Sequence, residues 1–181
     1  MLFKKFDYYI MRPPNRVRLM CLDVIKQVDG KELVEDRSDT EIIQSKISET
    51  NWNGEEPDNH STVVMKHFFY QELLPFYAKH LEKRHRKDFE VIKVWYQIYK
   101  ARSGSYHNWH NHIPGSNISN IWYLKLPNGC GTEFKVNGKT IKPRVREGDL
   151  LVFPSDVIHR SPENYSDEDK VIVSYNTIWS Q

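Results

Sequence analysis

Halfway along the chain the spacing of apolar positions changes. From Ser61 to about Lys87, the residues Met65, Phe69, Leu73, Phe76 and His80 return every three or four positions, the spacing of one helix face. Ser61 suits the cap of such a helix, and Pro75, which lacks an N–H, should kink or divide it. A shorter helix is predicted over Asp39 to Glu49, with Ile42, Ile43 and Ile47 on one side. Leu2 to Met11 reads as a short strand stopped by Pro13-Pro14. Thr50 to His60 has loop chemistry, rich in Asn, Gly, Pro and Asp. Beyond about residue 88 the period becomes two. Ile92, Val94, Tyr96 and Ile98 alternate with Lys93, Trp95, Gln97 and Tyr99. Strands are predicted at Ile118–Leu126, Thr132–Val136, Thr140–Val145, Asp149–Phe153 and Val171–Trp179, separated by Pro127-Asn128-Gly129, Asn137-Gly138 and Glu147-Gly148. Asn137-Gly138 between two strands is a strong hairpin signal. Many short strands without intervening helices mean a sandwich, barrel or jelly roll. The expected class is therefore mainly β (α+β overall), with a helical N-terminal support, residues 1–88, packed on an all-β core, residues 89–181, as a single domain.

Composition narrows the function classes. The chain has 181 residues, enough for one full core without a disulfide or metal staple. Its 26 basic and 24 acidic residues nearly cancel, which argues against a dedicated nucleic-acid binder. The cluster KHLEKRHRK at the end of the long helix reads as a solvated, dipole-complementing terminus. Its two cysteines, Cys21 and Cys130, form no C-x-x-C and suit a reducing, cytoplasmic compartment. No apolar run approaches the roughly 20 residues of a membrane span, and the first residues lack a signal-peptide core.

The candidate chemistry lies in the histidines. His60, His67, His80 and His85 fall in the loop and helix above and read as surface or packing residues, while His107 is open. His110-Asn111-His112 is an H-x-H step. On a strand its two rings project from one face, so one metal ion can take both. His159 follows the strand Gly148 to Phe153 and the turn Pro154-Ser155-Asp156, and an antiparallel barrel can bring it beside the H-x-H strand. Three facial ligands with open positions opposite suit a non-haem Fe(II) oxygenase site. The bland alternative is a surface hydrogen-bonding cluster. The HNH nuclease reading is set aside, because its residues are spread along a ββα unit.

The surrounding motifs favour the metal site. Gly104 to His112 fits the G-x5-H-x-H of the cupin first motif, and Gly148 to His159 its second, with Asp156 where a Gly is usual. The cupin glutamate after H-x-H is missing, its place taken by Ile113 to Asn117. The chain more closely resembles the 2-oxoglutarate/Fe(II)-dependent dioxygenases, above all a compact bacterial and phage hydroxylase family. The motifs are His110-Asn111-His112-Ile113-Pro114, Ser119 to Leu124, Gly148 to Ser155, His159, and Val173-Ser174-Tyr175-Asn176. They span about half the chain. The resemblance implies a double-stranded β-helix (jelly roll, cupin-like) that uses Fe(II) and 2-oxoglutarate. It makes His110, His112 and His159 the catalytic metal ligands. It departs from the family at His112, where Asp or Glu is usual; Asp156 is a less favoured stand-in. It further implies Lys170 as the cation for the distal carboxylate of 2-oxoglutarate, with Tyr99 and Tyr123 aimed at the same co-substrate. Ser174 and Asn176 share the parity of Lys170 and should face the same interior.

The expected activity is O2-dependent hydroxylation of a small-molecule or peptide substrate, with formation of succinate and CO2. Trp95, Trp122, Phe134 and Phe153 are candidates for an apolar lining. Three other readings stay open: a three-His iron dioxygenase indifferent to 2-oxoglutarate, a non-catalytic cupin-like module, and a structural zinc protein. A homodimer through a sheet edge is a further expectation.

Overall fold

The computed structural model describes residues 7–27, 34–35, 45–46, 48–51, 64, 66–83 and 88–179. Among these residues twelve strands form two antiparallel sheets. They are β1 (Tyr9–Met11), β2 (Val34–Glu35), β3 (Ser45–Lys46), β4 (Ser48–Asn51), β5 (Phe89–Tyr99), β6 (Ser105–His110), β7 (Ile118–Lys125), β8 (Glu133–Val136), β9 (Lys139–Ile141), β10 (Leu150–Pro154), β11 (Ile158–Asn164) and β12 (Lys170–Trp179). The major sheet runs β1-β10-β7-β12-β5-β4-β2, the minor β3-β6-β11-β8-β9. This is the jelly-roll arrangement expected of a double-stranded β-helix.

The major sheet is buried on both faces. Its outer face presents Val94, Tyr96, Ile98, Trp122, Leu124, Leu150, Val152, Val171, Val173 and Tyr175 to the helices. The inner face carries Tyr99, Ile121, Tyr123, Leu151, Phe153 and Ile172 toward the minor sheet. Strands covered on two sides read as continuous apolar runs, which accounts for Leu150-Leu151-Val152-Phe153. The helical layer consists of α1 (Asn15–Gln27), a π-helical stretch (Phe69–Leu73) and α2 (Leu74–Glu82). Pro75 does divide the long helix, sitting at the start of α2 just past the π-helical stretch. Because a π turn is wider, the buried face advances in four-residue steps, Phe69, Leu73, Tyr77 and Leu81, rather than through Phe76 and His80. Leu73 is fully enclosed; Leu73→Ala should cost about 2–5 kcal/mol, read as a lowered urea midpoint at unchanged slope.

The N-terminal third corrects the sequence reading twice. Asn15–Gln27 is an unanticipated helix, signalled by Val17, Cys21 and Ile25 at four-residue spacing, all buried against the sheet. The helix predicted over Asp39 to Glu49 is not formed at Ser45–Lys46 or Ser48–Asn51. These residues are strands, β3 pairing with β6 and β4 with β5. Open edges of the two sheets offered backbone partners that outweighed a weak local helix preference. So the described residues before Phe89 form a mixed layer of helices and short strands rather than a purely helical one. The Ser61 cap and the end of the basic cluster beyond Lys83 lie outside the described residues.

In the β-core the predicted strands are present with small shifts at their ends, except that the one expected over Thr140 to Val145 stops at Ile141, where Pro143 cannot donate to a ladder. Asn137 and Gly138 join β8 to β9 with φ of 50° and 75°, the left-handed pair of a two-residue hairpin turn. Cys21 and Cys130 are buried free thiols. No helix is long and apolar enough to cross a membrane among the described residues.

Candidate active site

The three predicted histidines meet. One ring nitrogen from each of His110, His112 and His159 lies within 4.8 Å of the others. His110 ends β6 and is paired in register with His159 on β11. His112 lies beyond the strand, so parity is not what aims it. Its backbone N–H donates to the Ser155 carbonyl at 3.0 Å, tying the loop after β6 to the end of β10. Ser155 is itself fully buried, its Oγ 2.8 Å from the hydroxyls of both Ser116 and Ser119. The Gly148-to-Ser155 motif thus has a mechanical role, holding the loop that carries His112. Asp156 is exposed and outside the cluster.

Two of the rings are held with one nitrogen free to ligate. His110 Nδ1–H donates to the Asn108 carbonyl at 2.7 Å, and His159 Nδ1–H to the Val157 carbonyl at 3.0 Å. A carbonyl can only accept, so both Nδ1 atoms carry the proton and both Nε2 lone pairs are left for a cation. Burial, followed for His112 and His159 by repulsion among the rings, pushes the pKa of all three down, to about 3 for His112. They are neutral at physiological pH, the form in which imidazole ligates. His112 has no such carbonyl anchor; its ring packs 5.9 Å from that of Trp95.

A cleft extends from the cluster into the barrel, lined by Gln97, Tyr99, Ile121, Phe153, Ile172 and Ser174 among others. At its inner end stands Lys170, with no exposed surface. Its Nζ donates to Ser161 Oγ at 2.7 Å and lies 4.6 Å from the centre of the Tyr99 ring and 5.9 Å from that of Tyr123. The acidic loop before it does not claim it: Asp167 pairs with Arg102, Glu168 with Lys125 and Asp169 with Lys100. Without a carboxylate partner among the described residues, burial pushes the Lys170 pKa down to about 7.

The other predicted site residues divide. Tyr99, Ser174 and Asn176 line the cleft, the last two as parity required. Tyr123 is buried between the sheets, its hydroxyl donating to Thr132 Oγ1 at 2.7 Å. Of the four aromatics proposed as lining, Trp95 and Phe153 face the cleft. Trp122 instead points outward to the helices, donating to the Gly148 carbonyl at 3.3 Å, and Phe134 packs on Phe153 in the core. His107 and Ser161 are site residues the sequence left unassigned. Ser161 shares the parity of His159 and could have been found. His107 could not, because three positions separate it from His110. A register shift between His159 and Ser161 turns both imidazoles inward, stacked at 3.9 Å. Trp95 is 5% exposed, and its Nε1–H is shut off from solvent without an acceptor among the described residues. Such an orphan donor costs about 1–3 kcal/mol.

The chain is 13% identical to a prolyl-4-hydroxylase of Pseudomonas putida, with a TM-score of 0.62 over 95% of this chain and 93% of that one. It is 15% identical to the viral collagen prolyl hydroxylase of Paramecium Bursaria Chlorella virus-1, solved with 2-oxoglutarate, at 0.57 over 94% of each. It is 11% identical to the non-haem α-ketoglutarate-dependent epimerase SnoN of nogalamycin biosynthesis, at 0.69 over 97% of this chain and 79% of that one. The fold is that of the 2-oxoglutarate/Fe(II) oxygenases. No protein-family model and no curated protein matches the sequence. Since hydroxylases and an epimerase share this double-stranded β-helix, the fold leaves the reaction to the site.

Proposed function

We propose that the chain is an Fe(II)/2-oxoglutarate-dependent oxygenase that hydroxylates a small-molecule or peptide substrate. The observation that carries this reading is one cleft with three neutral imidazoles at one level and a buried, carboxylate-free lysine at its inner end. The donor set fits a divalent transition metal, and Lys170 with Ser161 fits the far carboxylate of a dicarboxylate. When bound, iron and 2-oxoglutarate supply the oxidative chemistry: O2 is consumed, 2-oxoglutarate yields succinate and CO2, and the second oxygen atom is available to a substrate C–H bond.

The chain's own residues hold and orient. The Asn108 and Val157 carbonyls fix the tautomer and angle of His110 and His159. Lys170 supplies the charge for the distal carboxylate, and Ser161 Oγ–H a second donor once the lysine turns to its anion. Phe153 and Ile172 keep the stretch between metal and lysine apolar, which strengthens that ion pair and excludes water.

Anaerobic addition of 2-oxoglutarate to the Fe(II)-loaded protein should produce a visible charge-transfer band. Its absence would favour the second reading, a three-His dioxygenase indifferent to 2-oxoglutarate, which the histidine at position 112 in place of a carboxylate supports. The pH dependence of that band follows from Lys170. Its pKa near 7 in the free protein rises when an anion binds, so 2-oxoglutarate affinity is full below about pH 7. Above that it falls roughly tenfold per pH unit, with proton uptake on binding. Calorimetry at pH 8 in buffers of different ionisation enthalpy measures that uptake.

A further inference from the structure

Resting on that oxygenase reading, we propose that the mouth of the cleft selects a substrate bearing a carboxylate, held by Lys93 and the indole N–H of Trp95. Four observations converge. Lys93, Trp95, Gln97 and Tyr99 share one parity on β5, and the last three line the cleft. The register pairs Lys170 with Tyr99, Ser174 with Trp95 and Asn176 with Lys93, so Lys93 and Trp95 lie at the end of the cleft away from the co-substrate lysine. The Lys93 ammonium sits 5.0 Å from the centre of the Trp95 ring and makes no ion pair among the described residues. The Trp95 N–H is a buried donor with no acceptor among the described residues, beside the ring of His112. Both groups therefore await an acceptor, and one of them a negative charge.

The charge balance of the cleft points the same way. No Asp or Glu lines it among the described residues, and its cations are Lys170 and Arg160. Arg160 is paired with Glu133 at 2.8 Å, a carboxylate it shares with Lys142 at 2.6 Å. With imidazole instead of a carboxylate at position 112, a divalent ion and Lys170 bring three positive charges, and dianionic 2-oxoglutarate cancels two. One positive charge remains beside the substrate position, with Lys93 adding a second at the mouth. An anionic substrate relieves this; a cationic one meets repulsion.

The test uses Zn(II)-loaded, 2-oxoglutarate-saturated protein, which binds without turning over, and reads the Trp95 indole N–H by nitrogen-15 NMR, assigned with Trp95→Phe. The probes are N-acetylglycine and its uncharged isostere N-acetylglycinamide. N-acetylglycine should move the Trp95 signal downfield in a saturable titration, and the amide should not. Lys93→Gln should weaken the titration about threefold to tenfold, and Lys93→Arg should restore it. Equal shifts from both probes, no shift from either, or an unchanged titration in Lys93→Gln would each overturn the proposal. Failure of 2-oxoglutarate itself to perturb the Zn(II) protein is a separate result. It would overturn the co-substrate reading beneath the proposal, and the proposal with it.

Discussion

His110→Ala should abolish succinate formation, with metal retention weakened by more than roughly 100-fold. Loss of a mere hydrogen-bond support to a metal-bound histidine already costs roughly 10–100-fold, and His110 is here the donor itself. Its ring also stands between His107, stacked at 3.9 Å, and His159, at 4.2 Å between centres. Removing it therefore opens space as well as deleting a nitrogen. Metal content after dialysis separates the two effects. His159→Ala should match His110→Ala, whereas Asp156→Ala, at an exposed turn, should retain full metal content. Loss of metal in Asp156→Ala, or undiminished succinate formation in His110→Ala, would overturn the ligand assignment. His112→Asp is the instructive third variant. A carboxylate there should retain the ion and lower its net charge by one, so turnover should survive.

Lys170→Met should do two opposite things: raise the 2-oxoglutarate requirement by about 100-fold and make the free protein more stable. The loss follows from removing a wholly buried cation of the cleft. The gain follows from burial. An ammonium whose pKa falls from 10.5 to about 7 is destabilised in the folded state relative to the unfolded one. Between those values the unfolded chain binds more protons at this residue, so its contribution to stability rises with pH from about 7 to about 10.5. Below about 7 the full penalty is present. Replacement of a buried charge by a packed apolar side chain often stabilises by roughly 1–4 kcal/mol. Urea unfolding at pH 7 should show Lys170→Met the more stable, and the difference should shrink by pH 9. An equal or lower midpoint at pH 7 would mean that Lys170 has structural partners beyond Ser161. A dicarboxylate that pairs with this ammonium should correspondingly stabilise the wild type, and not the variant.

Much of this was legible in the chain. Period-two alternation from Ile92 onward and the Asn137-Gly138 turn specify strands locally, because strand faces and hairpin turns depend on neighbours two or three positions apart. The parity of Lys170, Ser174 and Asn176 puts all three on one face, and all three line the cleft. The motif from Gly148 to Ser155 marked His159 as the distal partner of His110. What was misread depends on contacts far along the chain. Ser45–Lys46 and Ser48–Asn51 became strands because β6 and β5 had open edges. Trp122 turned away from the cleft because the major sheet is covered on both faces, so apolarity alone carries no direction on β7.

The sequence by itself determined the residue types, their order and their faces: three imidazoles, one lysine opening the last strand, and a β-core to carry them. The tertiary structure alone decided that His107 joins them, through a bulge that shifts facing by one residue. It likewise decided that His112 is aimed by a hydrogen bond to Ser155 rather than by a strand, and that Lys170 is buried without a carboxylate. Facing within a strand follows from covalent alternation, and so is written locally. Register shifts, loop anchorage and burial are set by which distant segments pack together, and a linear pattern does not encode those distances.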